Sequence, residues 1–199
     1  METKEIYGDL PRLETERLVL RRVTDRDADD MFAYGSDEDV ARYVTWDTHR
    51  TLEDTKEFIA FIERQYENGD VAPWAVEYKE NGRMIGTVDF VIWRPQHHLA
   101  ELGYVLNKAY WGKGIMTEAA GELMRFGFEK MDLVRVQARC FAENTGSERV
   151  MEKLGMTYEG TQRKAMKVKG RHWDLKTYAI LREEYDQGPR DSEESPIME

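Results

Sequence analysis

A single cysteine, Cys140, stands in 199 residues, so no internal disulfide can form and no thiolate cluster can hold a metal. That scarcity suits a reducing compartment. No span approaches eighteen consecutive apolar residues, and the opening METKEIYGDL carries charges where a secretory leader would be apolar. The expectation is a soluble, cytoplasmic protein with no membrane partner. Broad positive charge is lacking too. The formal net charge is −10, and much of it is local, because seven acids between Glu183 and Glu199 face Arg190 alone. The rest of the chain mixes both signs, which argues against a nucleic-acid partner. No internal repeat is visible, and the length fits one domain with a sizeable core.

What is present is an alternation of strand-like and helix-like runs. RLVLRRV (17–23) reads as an opening strand, followed by a small helix around Ala28–Tyr34. A longer helix follows, with Phe58, Ile59, Ile62 and Tyr66 as its apolar stripe, Thr51 as its cap and Asn68–Gly69 as its stop. WAVEYKENGRMIGTVDFVIW places two strands around an Asn81–Gly82 turn, and LAELGYVL (99–106) supplies a third. A helix over about Thr117–Lys130 would bury Ala120, Leu123, Phe126 and Phe128, with Gly121 and Gly127 weakening its interior. VRVQARCF (134–141) alternates as a strand with Val134, Val136, Ala138 and Cys140 inward. A compact helix closed by Gly155 and two strands around Gly170 complete the order. The fold class is α/β, a mixed sheet covered by helices. Residues 1–12 read as an extension, 13–186 as the domain and 187–199 as a flexible acidic tail.

The stretch AYWGKGIMTEA places Gly112 and Gly114 between a strand and a helix start. Glycines there allow a sharp turn with amide hydrogens pointing outward, and the helix adds its positive end, so an anion such as a pyrophosphate has a seat. Lys113 adds a charge. A turn with incidental glycines is the other reading. The spacing is neither Walker A nor the dinucleotide GxGxxG, since Met116 and Thr117 occupy the wrong positions.

LGYVLNKAYWGKGIMTEA, followed after one strand by ENTGSERVMEKLGM, resembles the acyl-CoA-binding core of the GNAT N-acetyltransferases, in particular the RimJ and RimL type that acetylates ribosomal-protein N-termini. The likeness runs from about Leu13 to about Tyr185. Trp111 stands where the family usually has Gln or Arg, and Met116 replaces a small residue. The resemblance implies a mixed, mostly antiparallel sheet of about seven strands with splayed central strands. It also implies transfer of acetyl from acetyl-CoA, without a metal, to a primary amine. The acceptor would be a protein N-terminus or a small amine such as a polyamine or amino-sugar. A non-catalytic acetyl-CoA-binding module is the alternative, and a homodimer covering an edge strand is compatible with the fold.

The resemblance further implies that Val105 and Leu106 pair with the pantetheine arm. The pyrophosphate would rest on the loop of Trp111, Gly112, Lys113, Gly114, Met116 and Thr117. Asn144 would bond the pantetheine and Ser147 would protonate the departing thiolate, although both residue types also cap helices. Glu101 is the expected general base, or else orders its strand through an ion pair. Trp46, His98 and Asp174 would line the acceptor site. Arg149 and Lys153 either reach the nucleotide or form the wet side of a helix. His97 and His98 have no visible third and fourth ligands, so zinc is not expected.

Overall fold

The computed structural model describes residues 2–188. The chain opens with helix α1 (Thr3–Tyr7), strand β1 (Leu13–Glu14) and strand β2 (Leu18–Arg22). Helices α2 (Ala28–Gly35), α3 (Glu38–Ala41) and α4 (Leu52–Asn68) follow, then strands β3 (Trp74–Tyr78), β4 (Arg83–Arg94) and β5 (Leu99–Leu106). Helix α5 (Ile115–Lys130), β6 (Arg135–Phe141), α6 (Thr145–Lys153), β7 (Thr157–Val168), β8 (Arg171–Leu181) and α7 (Arg182–Asp186) complete it.

The longest helix, α4, forms where its sequence punctuation places it. The Thr51 hydroxyl accepts from Asp54 N–H, the Asp54 carboxylate accepts from Thr51 N–H, and Gly69 closes the helix at φ 71°. Its buried stripe is Thr55, Ile59, Ile62 and Tyr66, with Phe58 half-buried beside it. Helix α5 begins two residues earlier than its composition suggests, because Gly114 takes φ 74° and ends the preceding turn there. Val134 lies just outside β6 and is exposed, contrary to the alternation expected of it, while Val136, Ala138 and Cys140 are buried.

Eight strands form one sheet in the order β1-β2-β3-β4-β5-β6-β8-β7. All neighbours are antiparallel except β5 and β6. Those two pair only from Leu99↔Arg135 to Leu102↔Ala138. Beyond that rung Gly103–Leu106 stays with β4, Arg139–Phe141 stays with β8, and the sheet opens into a V. Strand alternation sends Val88, Phe90, Leu102 and Tyr104 to the face that meets α5 and α6, where Trp74 packs on Phe126 and Tyr104 reaches Ser147. Asp89, Glu101 and Gly103 take the other face. There Arg21 clasps Asp27 at the start of α2, and α2 packs on α4.

Residues 3–12, which read as an extension, belong to the packed body. Ile6, Tyr7 and Leu10 are buried, and the Trp74 indole donates to the Pro11 carbonyl. The tail beyond Gly188 lies outside the described residues.

The two helical glycines of α5 differ in kind. A methyl group at Gly127 would sit 2.8 Å from both Leu133 Cδ1 and Phe90 Cζ, whereas one at Gly121 would meet Leu154 Cδ2 at an ordinary 3.5 Å. Close approach to the sheet therefore requires Gly127 alone. Gly127→Ala is expected to destabilise the protein by about 1–3 kcal/mol through overpacking. Gly121→Ala is expected to stabilise it by up to about 1 kcal/mol through helix propensity. Urea unfolding of both variants checks the pair.

Candidate active site

The V opens between β5 and β6, and the chain leaves β5 straight into the glycine loop. Gly112 and Gly114 both take φ 74°, a conformation that other residues rarely adopt. Among the described residues no backbone carbonyl outside regular elements takes the N–H of Gly112, Lys113 or Gly114. The free N–H groups of Ile115, Met116 and Thr117 in the first turn of α5 continue the row. A methyl at Gly112 would touch nothing, so the loop's outer side is open. The unpartnered loop N–H groups thus run directly into the free ones at the positive end of a 16-residue helix, the composition of an anion seat. Met116 does not narrow it, because its side chain is buried in the core. Trp111 turns its indole N–H onto the Leu106 carbonyl at 2.8 Å and pins the loop to the strand end. Lys113 is exposed, with its ammonium 5.3 Å from the centre of the Tyr110 ring.

A brace holds the loop from behind. Glu118, in the first turn of α5, accepts from Thr15 Oγ1 at 2.5 Å, Arg17 N–H at 2.9 Å and Arg17 Nε at 2.6 Å. Arg17 also donates through Nη1 to the Lys113 carbonyl at 3.0 Å. Burial alone would raise the Glu118 pKa, but the bonds from Thr15 and Arg17 outweigh it and hold the carboxyl below its ordinary value.

The open edge of β5 has a definite parity. Asn107 N–H bonds the Ile85 carbonyl, so the N–H and C=O of Val105 also point to β4, and those of Tyr104 and Leu106 point into the gap. The backbone of Val105, expected to pair with the pantetheine arm, is thus directed to β4. Leu106 has its carbonyl covered by Trp111 and its N–H directed to the open side.

Asn144 caps α6, its Oδ1 accepting from Ser147 N–H at 3.1 Å. The Ser147 hydroxyl lies 2.8 Å from the Tyr104 hydroxyl, which also donates to the Ser147 carbonyl at 3.2 Å. Burial pushes the Tyr104 pKa well up, only partly offset by Ser147, so the phenol keeps its proton at neutral pH. The hydroxyl pair spans the V between a strand and a helix.

Glu101 is at the base of the V and buried. Both its oxygens are engaged, Oε1 by Arg139 Nε at 2.9 Å and Oε2 by Gln137 Nε2 at 2.7 Å. Since Glu101 pairs with Gln137 in the ladder, this ion pair ties β5 to β6 one rung before they part. As a base it would first have to release Arg139.

The acceptor-side residues divide. The rings of Trp46 and His49 lie tilted against each other, centroids 5.2 Å apart, in the segment between α3 and α4. Asp174 accepts from Lys164 N–H at 2.7 Å and lines an open pocket of about 270 Å³ with Ala142, Glu143, Arg171, His172 and Trp173, beyond the end of β6. Tyr43 meets Trp173 edge-on, so the segment carrying Trp46 touches the β7–β8 hairpin. His98 does not join them. It sits in a turn at φ 50° at the far end of β5, its Nδ1 2.9 Å from the Asp132 carbonyl, because Pro95–His97 forms a helical turn rather than a strand. Arg149 and Lys153 form no ion pair among the described residues.

Tyr104 and Arg17 were missed from the sequence. The tyrosine of LGYVL comes to Ser147 from another element, 43 residues away in the chain. Arg17 offered only a charge at the start of a strand. Among the described residues no cluster of three or more His, Cys, Asp or Glu is arranged for a metal, and no helix is long and apolar enough to cross a membrane.

Comparison with known proteins agrees with this geometry. The family model described as Acetyltransferase (GNAT) domain matches residues 17–157. The uncharacterized N-acetyltransferase YoaA of Bacillus subtilis is 31% identical over 86% of this chain and 97% of its own length. The [ribosomal protein uS5]-alanine N-acetyltransferase of Escherichia coli is 25% identical over 89% and 94%. A GNAT-family acetyltransferase from Bacillus anthracis superposes with a TM-score of 0.78 at 34% identity, covering 87% of this chain and 99% of that one.

Removing the brace is expected to loosen the glycine loop without unfolding the sheet. Arg17→Ala or Glu118→Gln should weaken acetyl-CoA binding about 10-fold, roughly 1.4 kcal/mol, as read by titration calorimetry. Because the Glu118 pKa is lowered by folding, its contribution is present above the ordinary carboxylate range and is lost as pH falls through the lowered value. The wild-type advantage in affinity should fade in acid accordingly.

Proposed function

The chain belongs to the GNAT acetyltransferase family, an acetyl-CoA-dependent enzyme family, and from that premise we propose that it acetylates the α-amine of a protein N-terminus, as the RimJ and RimL type does. Attack is direct, within a ternary complex of enzyme, acetyl-CoA and amine. What supports the reading is the V between β5 and β6, with donors on its edge and a hydroxyl pair across it. The relationship to the E. coli alanine N-acetyltransferase supports the choice of acceptor. A small amine, either a polyamine or an amino-sugar, is the second reading, favoured by the open pocket around Asp174.

Acetyl-CoA supplies an acyl group activated as a thioester. The amides of Gly112, Lys113, Gly114, Met116 and Thr117 hold its pyrophosphate, and Trp111 keeps that loop in register. Leu106 N–H and the Tyr104 carbonyl pair with its pantetheine arm, joined by the Asn144 side-chain amide, whose NH2 remains available after Oδ1 has capped α6. Tyr104 N–H points into the gap and stabilises the negative charge that develops on the thioester oxygen. Ser147 and Tyr104 deliver a proton to the departing sulfur as one unit, the phenol resupplying the serine hydroxyl across 2.8 Å. On the acceptor side, Trp46 forms a wall and Asp174 steadies the hairpin at Lys164 while presenting its second oxygen to a cationic amine.

The test mixes protein and acetyl-CoA with alanine- and serine-initiated peptides, a polyamine and an amino-sugar, following free thiol and confirming product by mass. Acetylated peptide α-amine is the expected product, acetylated polyamine or amino-sugar alone would install the second reading, and no transfer to any amine would sink both. Ser147→Ala and Tyr104→Phe should each lower kcat about 10²-fold while leaving CoA binding near wild type. The double variant should lower it little further, as groups acting as a unit do.

A further inference from the structure

One carboxylate near the V has no partner among the described residues. Asp89 lies on β4 directly across from Gly103, the first residue of β5 beyond the last rung shared with β6. The register of β4 against β5 slips between Phe90 and Ile92, so a bulge at Val91 lies two residues beyond Asp89, a device found beside active sites. Strand alternation puts its side chain on the face opposite α5 and α6, the face that also carries Glu101. A methyl group at Gly103 would stand 2.7 Å from Asp89 Oδ1 and closer still to Val91 Cγ1. The carboxylate therefore lies over a backbone that only glycine leaves open, at the vertex where the acetyl group must meet its acceptor.

The surroundings of the two vertex acids are opposite. Glu101 is bonded through both oxygens to Arg139 and Gln137. Asp89 is partly buried and makes no hydrogen bond or ion pair among the described residues. The titratable groups that sense its charge are the phenols of Tyr7 from α1 and Tyr66 from α4, and among the described residues no Lys, Arg or His stands within ion-pair distance. Desolvation without compensation raises the Asp89 pKa from 3.8 to about 7. That is the range in which a general base works best at neutral pH. A strand acid inside GTVDFVIW, otherwise apolar around it, is also an expensive residue to keep for packing alone.

We propose that Asp89 is the catalytic base: its carboxylate, beside Gly103 at the vertex of the V, takes the proton from the acceptor ammonium. This rests on the acetyl-transfer reading. The ammonium gives one proton to Asp89 and becomes a neutral amine. Its lone pair attacks the thioester carbonyl carbon, the C–N bond forms and the C–S bond breaks. The electron pair leaves on sulfur, which takes a proton from the Ser147–Tyr104 pair. The second proton lost by the nitrogen restores that pair, and Asp89 releases its own to solvent. Glu101, held by Arg139, positions the strands and takes no proton.

The test is the pH dependence of kcat/KM for the amine that the wild-type protein acetylates, in wild type, Asp89→Asn and Glu101→Gln. The wild-type rate is expected to rise with pH through an apparent pKa near 7. Asp89→Asn should lose about 10²-fold or more in kcat and also lose that limb, with CoA affinity retained, while Glu101→Gln keeps the limb. Retention of the limb in Asp89→Asn, or its disappearance only in Glu101→Gln, would overturn the proposal and leave acetyl transfer standing. Absence of transfer by the wild type to any amine would overturn the acetyl-transfer reading and this one with it. A second readout does not need turnover. Between about pH 4 and 7 folded Asp89 holds a proton that the unfolded chain releases, so wild-type stability falls as pH rises through that window. Asp89→Asn removes this slope, and a carboxyl that titrates in the wild type below pH 5 by carbon NMR would refute the assignment.

Discussion

The parallel ladder between β5 and β6 stops after Leu102 and Ala138, and nearly every functional group is placed by that interruption. A continuous ladder would satisfy the backbone of Tyr104 and Leu106 and leave no slot. Two antiparallel neighbours hold the strands apart: β4 keeps Gly103–Leu106 and β8 keeps Arg139–Phe141. Just below the opening, the Glu101–Arg139 pair closes the joint. Its charges are largely withdrawn from water, so the pair's worth lies less in net stability than in fixing where the strands part.

On this frame the two sides of the V do different work. The α5 and α6 side carries donors: backbone amides of the glycine loop, a helix end, and the Tyr104–Ser147 hydroxyls. The other side carries acids and aromatic rings, with Asp89 at the vertex and Trp46, Tyr43 and Trp173 further out. Under the proposed function, an anionic cosubstrate and a cationic amine would approach from opposite faces of one sheet and meet where the sheet is open.

The sequence disclosed what is local. Thr51, Gly69 and the Asn81–Gly82 turn mark element ends through chemistry within a few residues, and Gly112 and Gly114 announce a loop whose backbone side chains cannot imitate. What stayed hidden depends on partners far along the chain. Tyr104 meets Ser147 across 43 residues, and Arg17 meets Glu118 across 101. The backbone direction of Val105 follows from ladder parity, which no composition reveals. His98 shows the same limit: its sequence neighbours do not reveal that the Pro95–His97 turn leaves it left-handed at the far end of β5. Glu101 and Asp89 are both acids in strands, and only the presence or absence of Arg139 nearby tells them apart.

The link from Arg17 to Glu118 and Lys113 also bears on the order in which the molecule comes together. It joins the second strand to the middle of the chain, a closure whose entropy must be met before the contact repays it. During synthesis the first half of the sheet can assemble while residues 112–118 have no brace, so the anion seat takes shape only after distant segments have docked. Cosubstrate binding then depends on a contact that exists only once residues 15–17 have docked on the start of α5.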